Sequence, residues 1–372
     1  MDKRLQQFLT RAMTVGAAVL TLTLTPATQA GKAPSTTGTP HTYAGRATVL
    51  GATVDTLLAD LSLTVSDTGD LDPTGGMRDA SALNVTSNPP LGLDLGVASA
   101  VTVGSGDRSD STASVVALDL NVANLVTVTA GVLQSNAVAI CSNGTAGYGG
   151  SSVVTDLKIG SILGAAASVV VTGEPNQTIT LLNLATIIIN EQKKVGGRQV
   201  VNALHVIVGG ALAGVVTADV VISHADAGIS CGTTTTPECP VTDFVTGGGY
   251  VISNGSKANF GFVGGKKPNG LQGHLQYNDK SSTAAKISGT SVSSYGGSGV
   301  ERQVVYGCKV NGAASTCTMN VADNGEPGTS DSFGLSTGSG YSIGSQVISG
   351  GNIQLHKPSC PTTTSTKGGR PR

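Results

Sequence analysis

Gly340-Tyr341-Ser342-Ile343-Gly344 has the spacing of a nucleophile elbow, G-x-S-x-G. That device sets a serine on a strained turn between a strand and a helix, with an acid and then a histidine further along the chain. Here Ser345-Gln346-Val347-Ile348-Ser349-Gly350-Gly351 shows no helical period, and no acidic residue follows Ser342, although His356 does. The segment therefore reads as a glycine-flanked strand. His41, His205, His224, His274 and His356 include no pair at the short spacings of a local metal box. His205 and His224 fall in strand-like runs. Pairing of those runs would let the imidazoles meet, and half-buried structural histidines are the plainer expectation. Acidic residues beside glycine suggest Ca²⁺, a hard cation that takes several oxygen ligands. Asp323, Asn324, Glu326 and Asp331 make the first candidate loop. Asp67, Asp70 and Asp72 around Gly69 make a second, and Asp107 with Asp110 a third. None has EF-hand spacing, and turns in which Asn and Asp cap their own backbone have the same composition. Gly247-Gly248-Gly249 and Gly296-Gly297 precede no helix and do not read as phosphate cradles. Tyr250, Tyr277, Tyr295, Tyr306 and Tyr341 would stack sugars if exposed, and would fill a core if not. No catalytic residue and no cofactor are expected.

The elements that must position these residues are set by composition. The chain has 372 residues with charged residues at 12%, Gly 52, no Trp and a net charge of −1. A nucleic-acid binder would carry a basic excess. A disordered chain would lack the Val, Leu and Ile present here. Helical bundles tolerate little glycine. What remains is an all-β protein.

Residues 1–30 have a basic start (Lys3, Arg4, Arg11), an apolar run over 12–25 and small residues before Gly31, the marks of a signal peptide. The run is too short to span a bilayer, and no later stretch is long enough, so no transmembrane anchor is expected in the mature chain. Export to an oxidising compartment favours disulfides among the six cysteines. Cys308 and Cys317 flank Asn311-Gly312 as a hairpin clamp would. Cys239 and Cys360 bracket the C-terminal part, and Cys141 with Cys231 would then stay inside the first.

Aromatic usage divides the mature chain. Residues 41–231 hold only Tyr43 and Tyr148, so their core must be Val, Leu, Ile and Ala, whereas Phe244, Phe260, Phe262 and Phe333 lie beyond 240. The reading is a disordered start over 31–40, a first β body over 41–231, a Thr-rich linker over 232–238, a second β body over 239–360 and a disordered tail over 361–372. In the first body Val116, Leu118, Leu120 and Val122 alternate with polar or small residues, as do Val126, Val128, Ala130 and Val132. Residues 178–181, 185–189, 199–208 and 218–225 are further strands, and Thr53 to Ala59 is the one tempting helix. In the second body 244–252 and 257–263 read as strands. Two antiparallel sandwich or barrel-like domains are expected, with a β-solenoid as the alternative for the first.

Ile189-Asn190-Glu191-Gln192 followed by Val201-Asn202-Ala203-Leu204-His205-Val206 resembles the choice-of-anchor P family of exported bacterial surface proteins. Tyr43-Ala44-Gly45-Arg46-Ala47, Asp107-Arg108-Ser109 and Glu174-Pro175-Asn176-Gln177 fit the same pattern in order. Phe244 to Gly249, Ala258 to Gly261, Asp323 to Gly328 and Gly351 to His356 resemble the domain that often follows it. The resemblance implies an ectodomain and supplies no catalytic residues. The tail after Cys360 has no LPxTG-type motif and no apolar stretch, which implies release or non-covalent retention at the surface. The expected function is a secreted, non-catalytic envelope or matrix protein, structural or adhesive, contacting polysaccharide or its own copies and not nucleic acid. The alternatives are a glycan-binding module using exposed tyrosines of the second body and a secreted hydrolase assembled only in three dimensions.

Overall fold

The computed structural model describes residues 39–57, 60–211, 213–233, 241, 243–267, 270–282 and 284–358. The expected signal peptide over residues 1–30, most of residues 31–40, the greater part of the expected linker, the tail and the expected Cys239–Cys360 bridge lie outside the described residues. Among the described residues there is no helix. The strands in order are β1 (Thr42–Asp55), β2 (Asp60–Asp67), β3 (Gly76–Ser87), β4 (Leu91–Ser105), β5 (Arg108–Val122), β6 (Val126–Ser142), β7 (Thr145–Thr155), β8 (Lys158–Ser161), β9 (Gly164–Ser168), β10 (Gln177–Leu181), β11 (Ala185–Val195), β12 (Arg198–Val208) and β13 (Thr217–Ser230). There follow β14 (Asp243–Ser253), β15 (Ser256–Lys267), β16 (Gly270–Asp279), β17 (Lys286–Gly296), β18 (Glu301–Val310), β19 (Ala313–Ala322), β20 (Ser332–Thr337), β21 (Ser342–Val347) and β22 (Gly350–His356). The tempting helix at Thr53 to Ala59 is instead the end of β1 and the turn after it, whose Leu58 and Ala59 are not described.

A six-stranded sheet runs β10-β11-β12-β13-β1-β2, and a seven-stranded sheet runs β3-β4-β5-β6-β8-β9 with β7 on β6. A nine-stranded sheet runs β21-β20-β19-β18-β17-β16-β15-β14-β22. Every described pairing is antiparallel, so the first part is a sandwich and not a solenoid. Hairpin chemistry explains the register. Gly196 and Gly197, both at positive φ, close β11 onto β12, and Asn311 with Gly312 does the same between β18 and β19.

The six- and seven-stranded sheets close on a core of Val, Leu, Ile and Ala, with Val54, Leu95, Leu120, Val126, Leu184, Val206 and Ile222 wholly buried. The nine-stranded sheet curls on itself around Phe260, Phe262, Tyr277, Tyr306 and Phe333, and Phe260 stacks on Phe333 at 4.2 Å. In both parts the first and last strands are neighbours whose outer ends meet, Thr42 opposite Ser230 and Phe244 opposite His356. Cys141–Cys231 and Cys308–Cys317 are bonded, with Cα separations of 5.6 and 6.0 Å.

The two cores are not independent bodies on a linker. The described residues fall in one compact unit, because the outer face of the seven-stranded sheet is covered by β14, β15, β16 and β22. Glycine makes this close approach possible. A Cβ on Gly248 would collide with Ser114, and one on Gly261 with Val97. Of Gly247-Gly248-Gly249 only Gly248 serves the seam; a Cβ on Gly247 would meet Phe262 and Ile353, and one on Gly249 would meet Gly350 and Phe260. The seam is mixed: Met77, Val101 and Val103 pack on Val241, Phe244 and Val263, while Ser99 Oγ lies 2.8 Å from His274 Nε2, Asp79 Oδ2 accepts from His274 Nδ1 at 2.8 Å, and Asn136 Nδ2 donates to Gln354 at 2.6 Å.

Two rows of irregular residues break the strands. In the seven-stranded sheet, regular pairing is interrupted at Asn84, Gly96, Ala117 and Gly131, with Asn84 and Ala117 at φ 52° and 60°. In the six-stranded sheet the row is Ser66, Val49, Ser223, Ala203 and Asn190. Each row changes which face looks inward. Leu118, Leu120 and Val122 join the first core, but Val116 lies on the opposite face. Val132 is likewise turned away from Val126, Val128 and Ala130.

Candidate binding cleft

The row through Ala117 creates an open site. Beyond it, residues 97–105, 108–116 and 132–140 lie under the nine-stranded sheet. Before it, the same face is uncovered, and register lines up Thr86, Asp94, Asp119, Thr129, Lys158 and Ser168 across six strands. The end of the β14–β15 hairpin rises beside this shelf. Between them lies a cleft of about 880 Å³, floored by Asp94, Asp119 and Thr129 and walled by Lys257, Asn259 and Lys280.

Asp94 and Asp119 are direct cross-strand neighbours, and both are exposed. Like charges so placed oppose folding. Lys257 Nζ binds Asp156 Oδ2 at 3.0 Å and sits 4.0 Å over the Tyr250 ring. Burial lowers the Lys257 ammonium, but its Asp156 and Tyr250 partners outweigh this and raise it. Asn259 is 1% exposed, and its Oδ1 has no partner. It is seated over Gly96, where a side chain would crowd its amide. A buried carbonyl oxygen without a donor costs about 1–3 kcal/mol.

The residues singled out in the sequence fall elsewhere. Ser342 opens β21 with no helix after it, so the elbow geometry is missing. β12 and β13 do pair, but His205 stands opposite Val221 and His224 opposite Asn202, and the two rings do not meet. His205 is held between Glu191 at 3.0 Å and Asp219 at 3.1 Å, so both ring nitrogens are occupied and neither is left to activate a nucleophile. Burial raises the Glu191 carboxyl, and Asn202, Lys193 and His205 more than offset this.

The Asp323 loop does not gather its oxygens around a common centre. Asp331 accepts from the Ile353 and Asn324 backbone N–H groups at 2.8 Å each, Asp323 accepts from Leu355 N, and Glu326 accepts from Asn352 and Gln354. These carboxylates cap the free edge of β22. Buried and facing Asp323 and Glu326, the Asp331 carboxyl is pushed up to about 6. Asp67 binds Arg46, and Asp110 lies between Arg108 and His356. Among the described residues, no group of three or more His, Cys, Asp or Glu is placed to hold a metal ion.

The tyrosines of the second body form no exposed row, and Tyr250, Tyr295 and Tyr341 are half-buried. Tyr277 and Tyr306 are wholly buried. Tyr341 hydrogen-bonds Tyr277 and Asp279, and Tyr295 hydrogen-bonds Asp243. These rings fill the core that the nine-stranded sheet encloses by curling on itself.

Sequence reasoning missed the cleft. Asp94 and Asp119 become a pair only through register, and Asn259 carries no local signal. No family model, no curated protein and no solved structure matches the chain. Among the described residues, no helix is long and apolar enough to cross a membrane.

Proposed function

We propose that the chain is an exported, non-catalytic protein of the cell envelope or extracellular matrix, adhesive in role, and that the cleft is where it grips an envelope polymer. The resemblance to choice-of-anchor P surface proteins, the leader-like N-terminus and the low charge all support this reading. The observation that carries it is the shelf itself: a β face that could have been covered by the nine-stranded sheet is held open, with two unpaired carboxylates facing the gap. Groups that weaken folding and have no structural partner mark a surface kept for binding.

Cell fractionation and sedimentation with isolated envelope material test it. The protein is expected outside the cytoplasm, resistant to thiol alkylation, and co-sedimenting with the envelope fraction. The Asp94→Asn/Asp119→Asn double variant should fold normally and sediment at least about threefold less well, the loss of one or two hydrogen bonds. Six reactive thiols in native protein, or sedimentation that the double variant leaves unchanged, would refute the assignment.

A further inference from the structure

The first sandwich has two unlike ends. The end away from Thr42 and Ser230 is built from the connections 56–59, 88–90, 123–125, 162–163, 182–184 and 209–216. Register sets them in two rows, three to a sheet. Val54, Leu91, Val122, Val126, Leu184 and Val208, which border the two rows, share one core, so both rows lie at a single tip. None of the six connections contains Asp, Glu, Lys, Arg or His, whereas those at the other end carry Asp70, Asp72 and Asp107. Aliphatic side chains stand out from the tip: Leu57 is 78% exposed, Leu182 72%, Val215 58%, Ile162 55% and Leu163 53%. The backbone there is closed. Ala123 N donates to Pro90 O at 2.6 Å, Ile162 N to Leu125 O at 3.1 Å and Gly209 N to Leu184 O at 3.0 Å, which stitches neighbouring turns together. The N–H groups of Leu125, Leu184 and Ala213 bond within their own turns. Single exposed aliphatics are ordinary on any surface, but a group of them on uncharged, internally bonded turns is not.

We infer that this tip docks on a lipid surface, its aliphatic side chains entering the outer edge of the hydrocarbon. Leaving water penalises charges and unbonded N–H groups. The tip carries no charge, and its turns bond their own N–H groups. A second copy fits it less well. Turns two strands apart are about 10 Å apart, and so are packed sheets, so the tip measures about 20 by 10 Å between turn centres. Each partner in a stable dimer buries about 800 Å². The class of headgroup follows from the collar behind the turns. Within four residues of them the strands carry the carboxylates of Asp55, Asp60, Asp94, Asp119 and Asp219 against one ammonium, Lys158. An anionic surface would be repelled, so the match is to zwitterionic headgroups. This contact is independent of the cleft and adds a second point of attachment to the envelope.

Co-sedimentation of the full mature chain with vesicles tests this. Phosphatidylcholine vesicles are expected to carry the chain down, and vesicles of equal parts phosphatidylcholine and phosphatidylglycerol to do so less well at low salt. Leu57→Ser/Leu182→Ser should keep the parent melting temperature, because both side chains are exposed, and bind phosphatidylcholine at least about tenfold more weakly. Val300→Ser, an exposed aliphatic between β17 and β18, should change nothing. Asp94→Asn/Asp119→Asn should keep its phosphatidylcholine binding, which separates this contact from the cleft's. No sedimentation with either vesicle overturns the inference and leaves the cleft standing. Sedimentation that Leu57→Ser/Leu182→Ser leaves unchanged overturns the assignment to the tip. Stronger binding to the phosphatidylglycerol vesicles overturns the headgroup class. A chain that ignores vesicles but dimerises in sedimentation velocity, with the dimer lost in Leu57→Ser/Leu182→Ser, overturns the lipid in favour of a second copy.

Discussion

Ala117 occupies the left-handed region, at φ 60°, in the middle of a sheet. For an L-residue with a Cβ this costs roughly 1–2 kcal/mol. A glycine in a strand interior normally costs about 0.5–1 kcal/mol. Here the first quantity exceeds the second, so Ala117→Gly should leave stability unchanged or raise it by up to about 1 kcal/mol, read from the urea midpoint at constant slope. Acid titration is the second test at this scale. The Asp331 carboxyl, raised to about 6, binds its proton more tightly in the folded chain, so its contribution is complete at low pH and lost as the pH climbs through 6. Burial raises Asp110, but His356 and Arg108 outweigh it and hold the carboxyl below its ordinary range, and the Arg46 hydrogen bond does the same for Asp67. Those contributions are present above the unfolded carboxylate value of about 4 and vanish below it. The melting temperature should therefore rise between pH 7 and pH 5 and fall below about 4. In Asp331→Asn the rise should disappear while the acid fall remains.

At the level of strands, the sequence shows where the elements are but not which way they face. The runs at 118–122 and 126–130 are strands with the inward residues expected of a period of two. Val116 and Val132 keep that period on paper and still face away, because Ala117 and Gly131 each insert a residue that turns the strand. A phase slip is legible elsewhere: Ala218, Val220 and Ile222 give way to Ala225, Ala227 and Ile229, an odd step at Ser223. Nothing comparable marks the cleft, since its floor is assembled from strands 91–95, 118–122 and 126–130 by register alone. The bridges divide by loop length. Cys141–Cys231 closes 90 residues and Cys308–Cys317 closes 9. On chain entropy alone these are worth about 4.6 and about 2.6 kcal/mol. The Cys141→Ser/Cys231→Ser pair should accordingly cost about 2 kcal/mol more in denaturant than Cys308→Ser/Cys317→Ser.

For the molecule as a whole, the division by aromatic content was legible and the joining was not. Phe260, Phe262, Phe333, Tyr277 and Tyr306 do fill a core of their own. The seam that locks it to the Val/Leu core combines apolar contacts, Met77, Val101 and Val103 on Val241, Phe244 and Val263, with polar ones through Ser99, Asp79, His274, Asn136 and Gln354, which look like surface in any linear reading. Scanning calorimetry should show one cooperative transition for the intact protein. Gly248→Val places a branched side chain where Ser114 sits, at an overpacking cost of about 1–3 kcal/mol, and should resolve that transition into two.

The placement of the outermost strands bears on how such a molecule behaves when pulled. Thr42 lies opposite Ser230, so traction on the polypeptide on either side of the first part is applied at one end of an antiparallel ladder. The rungs then open singly, in sequence, instead of resisting together in shear. A ladder loaded this way yields length at low force and re-forms when slack, which fits the adhesive role proposed above.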